Sequence, residues 1–233
     1  YIYMTAEFPS VWTQSILIPI YKKGDTKCPG NYRGIALLDT FSKLYVSILT
    51  NRIPLYCEAY WKIAESQAGF RAGYSTIDNA FVFYSIISKY LCMKKRFVYV
   101  AFVDFQKAFD SIDRNILYSI LRRKGLKGKL YNAIVSIYSC VKANVREANE
   151  TSDTIYCPKG LRQGCKLSPI LFALYINELH DTMDNNNVRG IQLFPDLTEI
   201  FRLMFADDLG RISDTIVGLQ RKLNILQTFC EEH

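Results

Sequence analysis

The chain carries two adjacent carboxylates, Asp207 and Asp208, inside a stretch that is otherwise largely apolar. Ile200-Phe201-Arg202-Leu203-Met204 precedes Phe205-Ala206, and Leu209-Gly210-Arg211-Ile212-Ser213 follows the acidic pair. Short apolar segments on both sides of a tight acidic dipeptide read as a β-hairpin with the carboxylates at or near its tip. Successive side chains on a strand leave opposite faces, so one of the two aims squarely at any shared site. Two like charges in an apolar setting resist desolvation unless a cation neutralises them, and a divalent metal is the natural resolution. Taken alone, the dipeptide reads more readily as an ordinary acidic turn.

A second acidic position ends a strand. Val98-Tyr99-Val100-Ala101-Phe102-Val103 is a continuous β-branched and aromatic run that closes on Asp104. A run this apolar predicts a strand buried on both faces, with the carboxylate at its C-terminal end. Phe105-Gln106-Lys107-Ala108-Phe109-Asp110 leads from it into a helical pattern around Ile112 to Arg123. Between the two acidic sites lies Gly160-Leu161-Arg162-Gln163-Gly164-Cys165-Lys166-Leu167-Ser168-Pro169, a loop with two glycines, two cations and an amide. Ser168 is a good N-cap and Pro169 a good first helical residue. Ile170, Leu171, Leu174, Tyr175 and Leu179 then recur at helical spacing.

An acidic strand end, a basic Gly-Gln loop on a helix and an acidic hairpin, in that order, resemble the palm of reverse transcriptases. The resemblance is narrower still to the non-LTR (LINE-type) retrotransposons. The matching strings are FVDFQKAFD at 102–110, GLRQGCKLSP at 160–169 with LFALYINEL after it, and FADD at 205–208. Upstream, LIPIYKKGD (17–25), NYRGIALL (31–38) and QAGFRAGYSTIDNA (67–80) are similar to the fingers motifs of the same family. The similarity runs from Trp12 to Thr215, nearly the whole chain.

The resemblance implies an α+β fold, a right-hand polymerase with fingers over 1–97 and palm over 98–233. Its antiparallel palm sheet packs on helices, the chain stops inside the palm's last helix, and a thumb is absent. It implies an RNA-dependent DNA polymerase that transfers dNTPs to a primer 3′-OH by two-metal phosphoryl transfer. The implied cofactor is a pair of Mg²⁺ ions, with Mn²⁺ as the substitute. The implied partners are an RNA template and a DNA primer, with an endonuclease domain elsewhere in a full-length polyprotein. An intracellular location follows, nuclear at the target DNA.

By the same resemblance, Asp104 and Asp207 bridge the metals and Asp208 is the third carboxylate. Main-chain carbonyls at the strand end, around Phe102, Val103 and Phe105, supply a further metal ligand. Hard cations of this kind take oxygen ligands from a few carboxylates and phosphates. Phe109 matches the steric gate beneath the incoming sugar, where an aromatic face leaves no room for a 2′-hydroxyl. Gln163 and Gly164 match a loop that approaches the base pair, glycine allowing close backbone approach and the amide donating to a nucleotide oxygen. Arg33 and Lys23 (or Lys22) match triphosphate contacts on a hairpin, Arg as a planar fork and Lys as a point charge. Arg71 in GFRAG matches a template or triphosphate contact, and Arg162 and Phe205 match nucleic-acid contacts. Phe205 stands where the family more often has tyrosine.

Other acids read as structural. Asp110 and Asp113 fall where a helix begins and complement its dipole. Ser75 and Asp78 have capping-box spacing. Cys165 reads as packing.

The formal net charge of +7 suits a polyanionic partner. Lys94-Lys95-Arg96 and Arg122-Arg123-Lys124 could track phosphates or serve as helix C-terminal cations. Seven cysteines without regular spacing argue for a reduced protein, and two histidines argue against a structural zinc site. No apolar run reaches the roughly 18 residues of a membrane span. Helical patterns fall near 40–60, with Pro54 breaking or kinking it, and near 76–94, 112–124, 128–141 and 169–184. Residues 143–156 read as a strand pair, and Thr215 to Cys230 as a last helix.

Gly210 and Arg211 sit where the second hairpin strand is usually apolar. Glycine weakens a strand, and a buried unpaired Arg is costly. Arg211 therefore points to solvent or template, or marks a decaying element. Besides the active polymerase, a catalytically inactive remnant that keeps only the fold or nucleic-acid binding has the same motifs. An RNA-dependent RNA polymerase shares paired aspartates, and Phe109 and the LRQG loop count against it.

Overall fold

The computed structural model describes residues 1–60, 62–92, 97–186, 188, 190, 191 and 202–233. In chain order the helices and strands are α1 (Ile2–Thr5), β1 (Gln14–Tyr21), β2 (Tyr32–Leu38), α2 (Thr40–Thr50), α3 (Ile53–Ala59), α4 (Thr76–Leu91), β3 (Tyr99–Asp104), α5 (Ala108–Ser111) and α6 (Arg114–Arg123). They continue as α7 (Gly128–Tyr138), β4 (Lys142–Glu147), β5 (Glu150–Thr151), β6 (Ile155–Tyr156), α8 (Ser168–Asn185), β7 (Arg202–Phe205), β8 (Asp208–Ser213) and α9 (Ile216–Glu232). The chain forms two compact units, each made of two segments: Tyr1–Tyr56 with Phe109–Leu171, and Cys57–Ala108 with Phe172–His233.

In the first unit, β1 and β2 form an antiparallel hairpin from Ser15 opposite Leu38 to Tyr21 opposite Tyr32. β4 joins the other edge of β1 in parallel, and β5 and β6 fold back onto β4. The strand pair expected over 143–156 is therefore a hairpin, its return strand interrupted into β5 and β6. Its turn places Ala148 at φ 50°. Leu117, Ile120 and Leu121 of α6 meet Ala133, Ile134 and Ile137 of α7 in a fully buried layer. Asp113 caps α6, its carboxylate accepting from Asn115 N and Ile116 N, as its position predicts. The helix expected near 40–60 is two helices. α2 closes at Thr50 and α3 restarts at Ile53, so that Pro54 lies in a first turn, where its missing N–H costs no hydrogen bond.

The second unit is built on a three-stranded antiparallel sheet in the order β3-β8-β7. Asp104 stands opposite Asp208, and Phe205 closes the hairpin against Asp208. The outer edge of β7 is tied to the chain at 66–68, where Ala68 N donates to Met204 O and Met204 N to Ser66 O, each at 2.9 Å. Strand alternation puts Phe102, Asp104, Asp208, Gly210 and Ile212 on one face. α4 covers the Ile212 end of that face with Ile86, Tyr90, Val82 and Phe83. It starts at the Ser75–Asp78 capping box, in which both reciprocal bonds form. The other face carries Leu209, Arg211 and Ser213, all buried.

Two expectations change here. β3 is not buried on both faces: Phe102 is 76% exposed, its ring meeting the Phe83 ring edge-on at 5.6 Å between centroids. Asp104 on the same face is exposed as well, so the face is open at that end. Arg211 points neither to solvent nor to a template. It is 0% exposed, with Nη1 on Met183 Sδ at 3.1 Å and, among the described residues, no hydrogen-bond partner for Nε or Nη2. Alternation with Gly210 forces it onto the covered face. Burial lowers its pKa to about 10, against a small opposing effect from Cys230. The cluster at 94–96 lies outside the described residues, whereas Arg122 and Arg123 occupy the last turn of α6 and Arg122 lies over the Tyr131 ring.

A charged group held in the folded state with a depressed pKa opposes folding at neutral pH, and the penalty lifts only as pH rises through about 10. Replacing Arg211 by an apolar side chain of similar length removes it. Arg211→Met is expected to stabilise the protein by about 1–3 kcal/mol, read as an increase in melting temperature at pH 7.

Candidate active site

The acidic residues expected at the site fall together at one end of the second unit's sheet. Asp104 ends β3 and Asp208 begins β8, directly opposite each other in the antiparallel register. Directly opposite side chains share a face, so these two carboxylates project the same way; like charges so placed repel. Asp207 lies beside them in the two-residue turn, half-buried, while Asp104 and Asp208 are exposed. It is thus Asp208 that stands across from Asp104, with Asp207 one residue away on the loop.

Asp104 and Asp208 line a groove of about 440 Å³ walled by Thr76, Asn79 and Phe83 of α4 and by Phe102, Leu203 and Phe205 of the sheet. Among the described residues, no three His, Cys, Asp or Glu side chains converge as a ready-made metal cage. Mg²⁺ does not need one: it is commonly held by one or two carboxylates, keeps several waters and shares substrate phosphates. An all-oxygen donor set built on two opposed carboxylates fits that ion.

The turn between β7 and β8 is unusual in its backbone. Ala206 has φ 57°, in the left-handed region that an L-residue with a Cβ enters at a cost of roughly 1–2 kcal/mol. Behind it lies Gln67, fully buried, with Oε1 accepting from Ala206 N at 3.2 Å and from Gly69 N at 2.9 Å. Gln67 Nε2 faces Ala206 O at 3.4 Å. Gln67 belongs to one of the matching strings, yet nothing in its residue type marks it as a partner of the acidic turn.

Arg71 was expected at template or triphosphate. Its guanidinium is already engaged: Nε and Nη2 donate to the two Glu58 oxygens at 2.8 and 2.7 Å, and Nη1 donates to Ala64 O and Gln67 O at 3.1 Å each. It also lies over the Tyr74 ring. The hydrogen bond from Arg71 holds the Glu58 carboxyl below its usual pKa. Arg71 therefore organises the loop that carries Gln67.

Phe105, half-buried, follows Asp104 in the second unit; the remaining expected residues lie in the first unit. Lys23 and Arg33 are exposed on the β1–β2 hairpin, where Lys22 N donates to Asn31 O across its mouth. Phe109, in α5, is half-buried, and its carbonyl accepts from Leu161 N at 2.7 Å. Gly160 N donates to Ile112 O, and a Cβ on Gly160 would come within 2.8 Å of Asp110 O. The 160–163 strip is thereby laid against 109–112. Gln163 Nε2 donates to Asp110 Oδ1 at 2.9 Å, so Asp110 orients the amide as well as starting a helix. Gly164, at φ 77°, brings its backbone close to Ala36 O. Arg162 is not on the face of the loop: it is buried, with Nη2 on Trp12 O and, among the described residues, no partner for Nε or Nη1. Burial lowers its pKa. Ser168 does not cap α8; its hydroxyl donates to Arg162 O and is bonded to Tyr138 OH. Arg114, not foreseen, ties the strip down by donating to Gly160 O, Lys159 O and Tyr138 O.

The family model for reverse transcriptase (RNA-dependent DNA polymerase) matches residues 20–233. A Pol polyprotein of a type-1 retrotransposable element R2 from Nasonia vitripennis is 28% identical over 94% of this chain, and a probable RNA-directed DNA polymerase of transposon BS from Drosophila melanogaster is 25% identical over 96%. The chain spans 20% and 24% of their respective lengths. Among solved structures, telomerase from Candida albicans, in a complex with a fragment of telomeric RNA, superposes with a TM-score of 0.67 at 13% identity. That match covers 95% of this chain and 40% of the telomerase chain. Apo telomerase from Candida tropicalis gives 0.61 at 13% identity, over 97% of this chain and 50% of that one. These likenesses show the fold of a reverse transcriptase polymerase domain.

The Glu58–Arg71 pair has a pH signature. A carboxyl with a depressed folded pKa adds stability above its unfolded value of 4.5, and that stability is lost as pH falls through the folded pKa. Glu58→Gln is expected to lower the melting temperature at pH 7, with the two proteins' curves converging as pH falls below 4.5.

Proposed function

The chain belongs to the reverse transcriptase (RNA-dependent DNA polymerase) family, and from that membership we propose that it is the catalytic core of a non-LTR retrotransposon polymerase. It extends a DNA primer with dNTPs on an RNA template. The observation that carries this reading is the opposed pair Asp104 and Asp208 at the open end of the sheet, with Asp207 in the adjoining turn. In this reading residues 1–97 are fingers and 98–233 palm.

When bound, a pair of divalent cations activates the primer hydroxyl and stabilises the departing pyrophosphate. Asp104, Asp207 and Asp208 hold the cations, with the Phe105 carbonyl as a further oxygen donor. Before any cation arrives the opposed carboxylates repel, so their mutual repulsion favours cation capture. Phe109 excludes a 2′-hydroxyl by bulk and by offering it no acceptor. Gln163, oriented by Asp110, keeps a second amide N–H for the nucleotide. Arg33 and Lys23, exposed on their hairpin, bind the triphosphate. Phe205, beside the carboxylates, offers an aromatic surface to nucleic acid in the groove.

Primer extension on an RNA template with Mg²⁺ and dNTPs tests the proposal directly. Extension is expected, and Asp104→Asn or Asp207→Asn should reduce it by roughly a hundredfold or more while leaving the melting temperature nearly unchanged. A folded chain that binds primer–template without carboxylate-dependent extension would instead be the inactive remnant. In an active chain, Phe109→Val is expected to relax discrimination against ribonucleotides by about tenfold or more, read as the ratio of dNTP to rNTP incorporation. An unchanged ratio would remove Phe109 from the sugar pocket.

A further inference from the structure

The Ala206–Asp207 turn is held from behind by a buried amide. Gln67 is 0% exposed and its side chain meets the Ala206 peptide on both sides, accepting from its N–H and donating toward its C=O. Three further features fix Gln67 in place. Its own carbonyl accepts from Arg71 Nη1, its Oε1 also takes the Gly69 N–H, and the flanking backbone is paired with β7 through Met204. Asn79 adds a fourth tie, donating to Met204 O at 3.0 Å. Gly69 makes the approach feasible, because a Cβ there would collide with the Ala206 nitrogen and lie 2.9 Å from its Cα. A left-handed alanine survives only where its surroundings over-determine it, and these contacts do so at the residue preceding Asp207.

We propose that Gln67 is a positioning residue: it holds Ala206 in the left-handed conformation and thereby sets the Asp207 carboxylate for metal binding. The inference rests on the reading of Asp207 as a metal ligand. Gln67 touches neither metal nor substrate; it acts through the turn. Its distinguishing property is that the need for it depends on the strain at Ala206. Glycine enters the left-handed region without penalty, so Ala206→Gly should make the clamp largely dispensable. A residue that merely fills the core would show no such dependence.

The test uses Mn²⁺ as the probe, its free concentration followed by electron paramagnetic resonance, with the 233-residue chain. Asp207→Asn is the control. Gln67→Met, which keeps the side-chain length and removes the hydrogen bonds, is expected to weaken Mn²⁺ binding about tenfold. Gln67→Met combined with Ala206→Gly is expected within about threefold of Ala206→Gly alone. Amide hydrogen exchange supplies a readout free of metal: Ala206 N–H should be protected in the parent protein and exchange faster in Gln67→Met. Asp207-dependent binding that Gln67→Met leaves intact overturns the clamp, as does a loss that Ala206→Gly fails to relieve. Parent protein and Asp207→Asn binding Mn²⁺ alike overturns the metal reading instead, and the inference with it. Should Gln67→Met not fold, Gly69→Ala pushes on the same turn from its other contact; a folded Gly69→Ala with unaltered Mn²⁺ affinity overturns the clamp.

Discussion

Two carboxylates facing each other across adjacent strands repel, and much of the second unit is arranged so that the sheet tolerates this. The repulsion between Asp104 and Asp208 falls at the last register pair of β3 and β8, where the strands can splay without breaking the ladder. The opposite end of the same face is closed by α4, which packs against Ile212 and Leu203 and supplies apolar burial. The free edge of β7 is tied by the backbone at 66–68, so the short hairpin is not left to stand alone. The acidic turn is thus carried on a strand anchored on both sides.

Much of this was legible in the amino-acid order, and for identifiable reasons. Local chemistry announced itself: Asp113 and Ser75 cap the helices that their positions promised, because capping involves residues two or three apart. The acidic strand end and the hairpin were equally readable from apolar runs broken by charge. What could not be read were partners far away in sequence. Arg71 reads as a template or triphosphate contact because Glu58 lies thirteen residues upstream with nothing to mark it as a partner. Arg211 was expected outward; counting along β8 from Asp208 would have put it on the face with Leu209. The exposure of Phe102 is not legible because an apolar run does not show which of its faces is covered, and Phe102 lies on the open face with Asp104.

The positive charge also reads differently once it is located. Arg71, Arg114, Arg162, Arg211 and Lys222 are buried, and no Asp or Glu is buried among the described residues. Against a formal net charge of +7, much of the cationic excess is therefore interior. Arg71 and Arg114 use it to gather main-chain carbonyls of loops, a task for which a planar guanidinium with several donors is suited. Attraction to a polyanion then depends on where the remaining surface cations cluster, as on the β1–β2 hairpin, more than on the sum.

The interleaving of the two units has a consequence for the nascent chain. The first unit has all of its residues once Leu171 has been made, whereas the second begins at Cys57 and is complete only with the final helix. β3, whose ladder partner is β8, therefore leaves the ribosome roughly a hundred residues ahead of that partner, an interval of about 5–20 s at ordinary translation rates. Throughout that time a β-branched and aromatic segment presents unpaired backbone on both sides, the condition under which strands aggregate or pair with the wrong neighbour. Synthesis of this chain thus has a defined window of vulnerability, opening at Tyr99 and closing when Ser213 emerges to meet it.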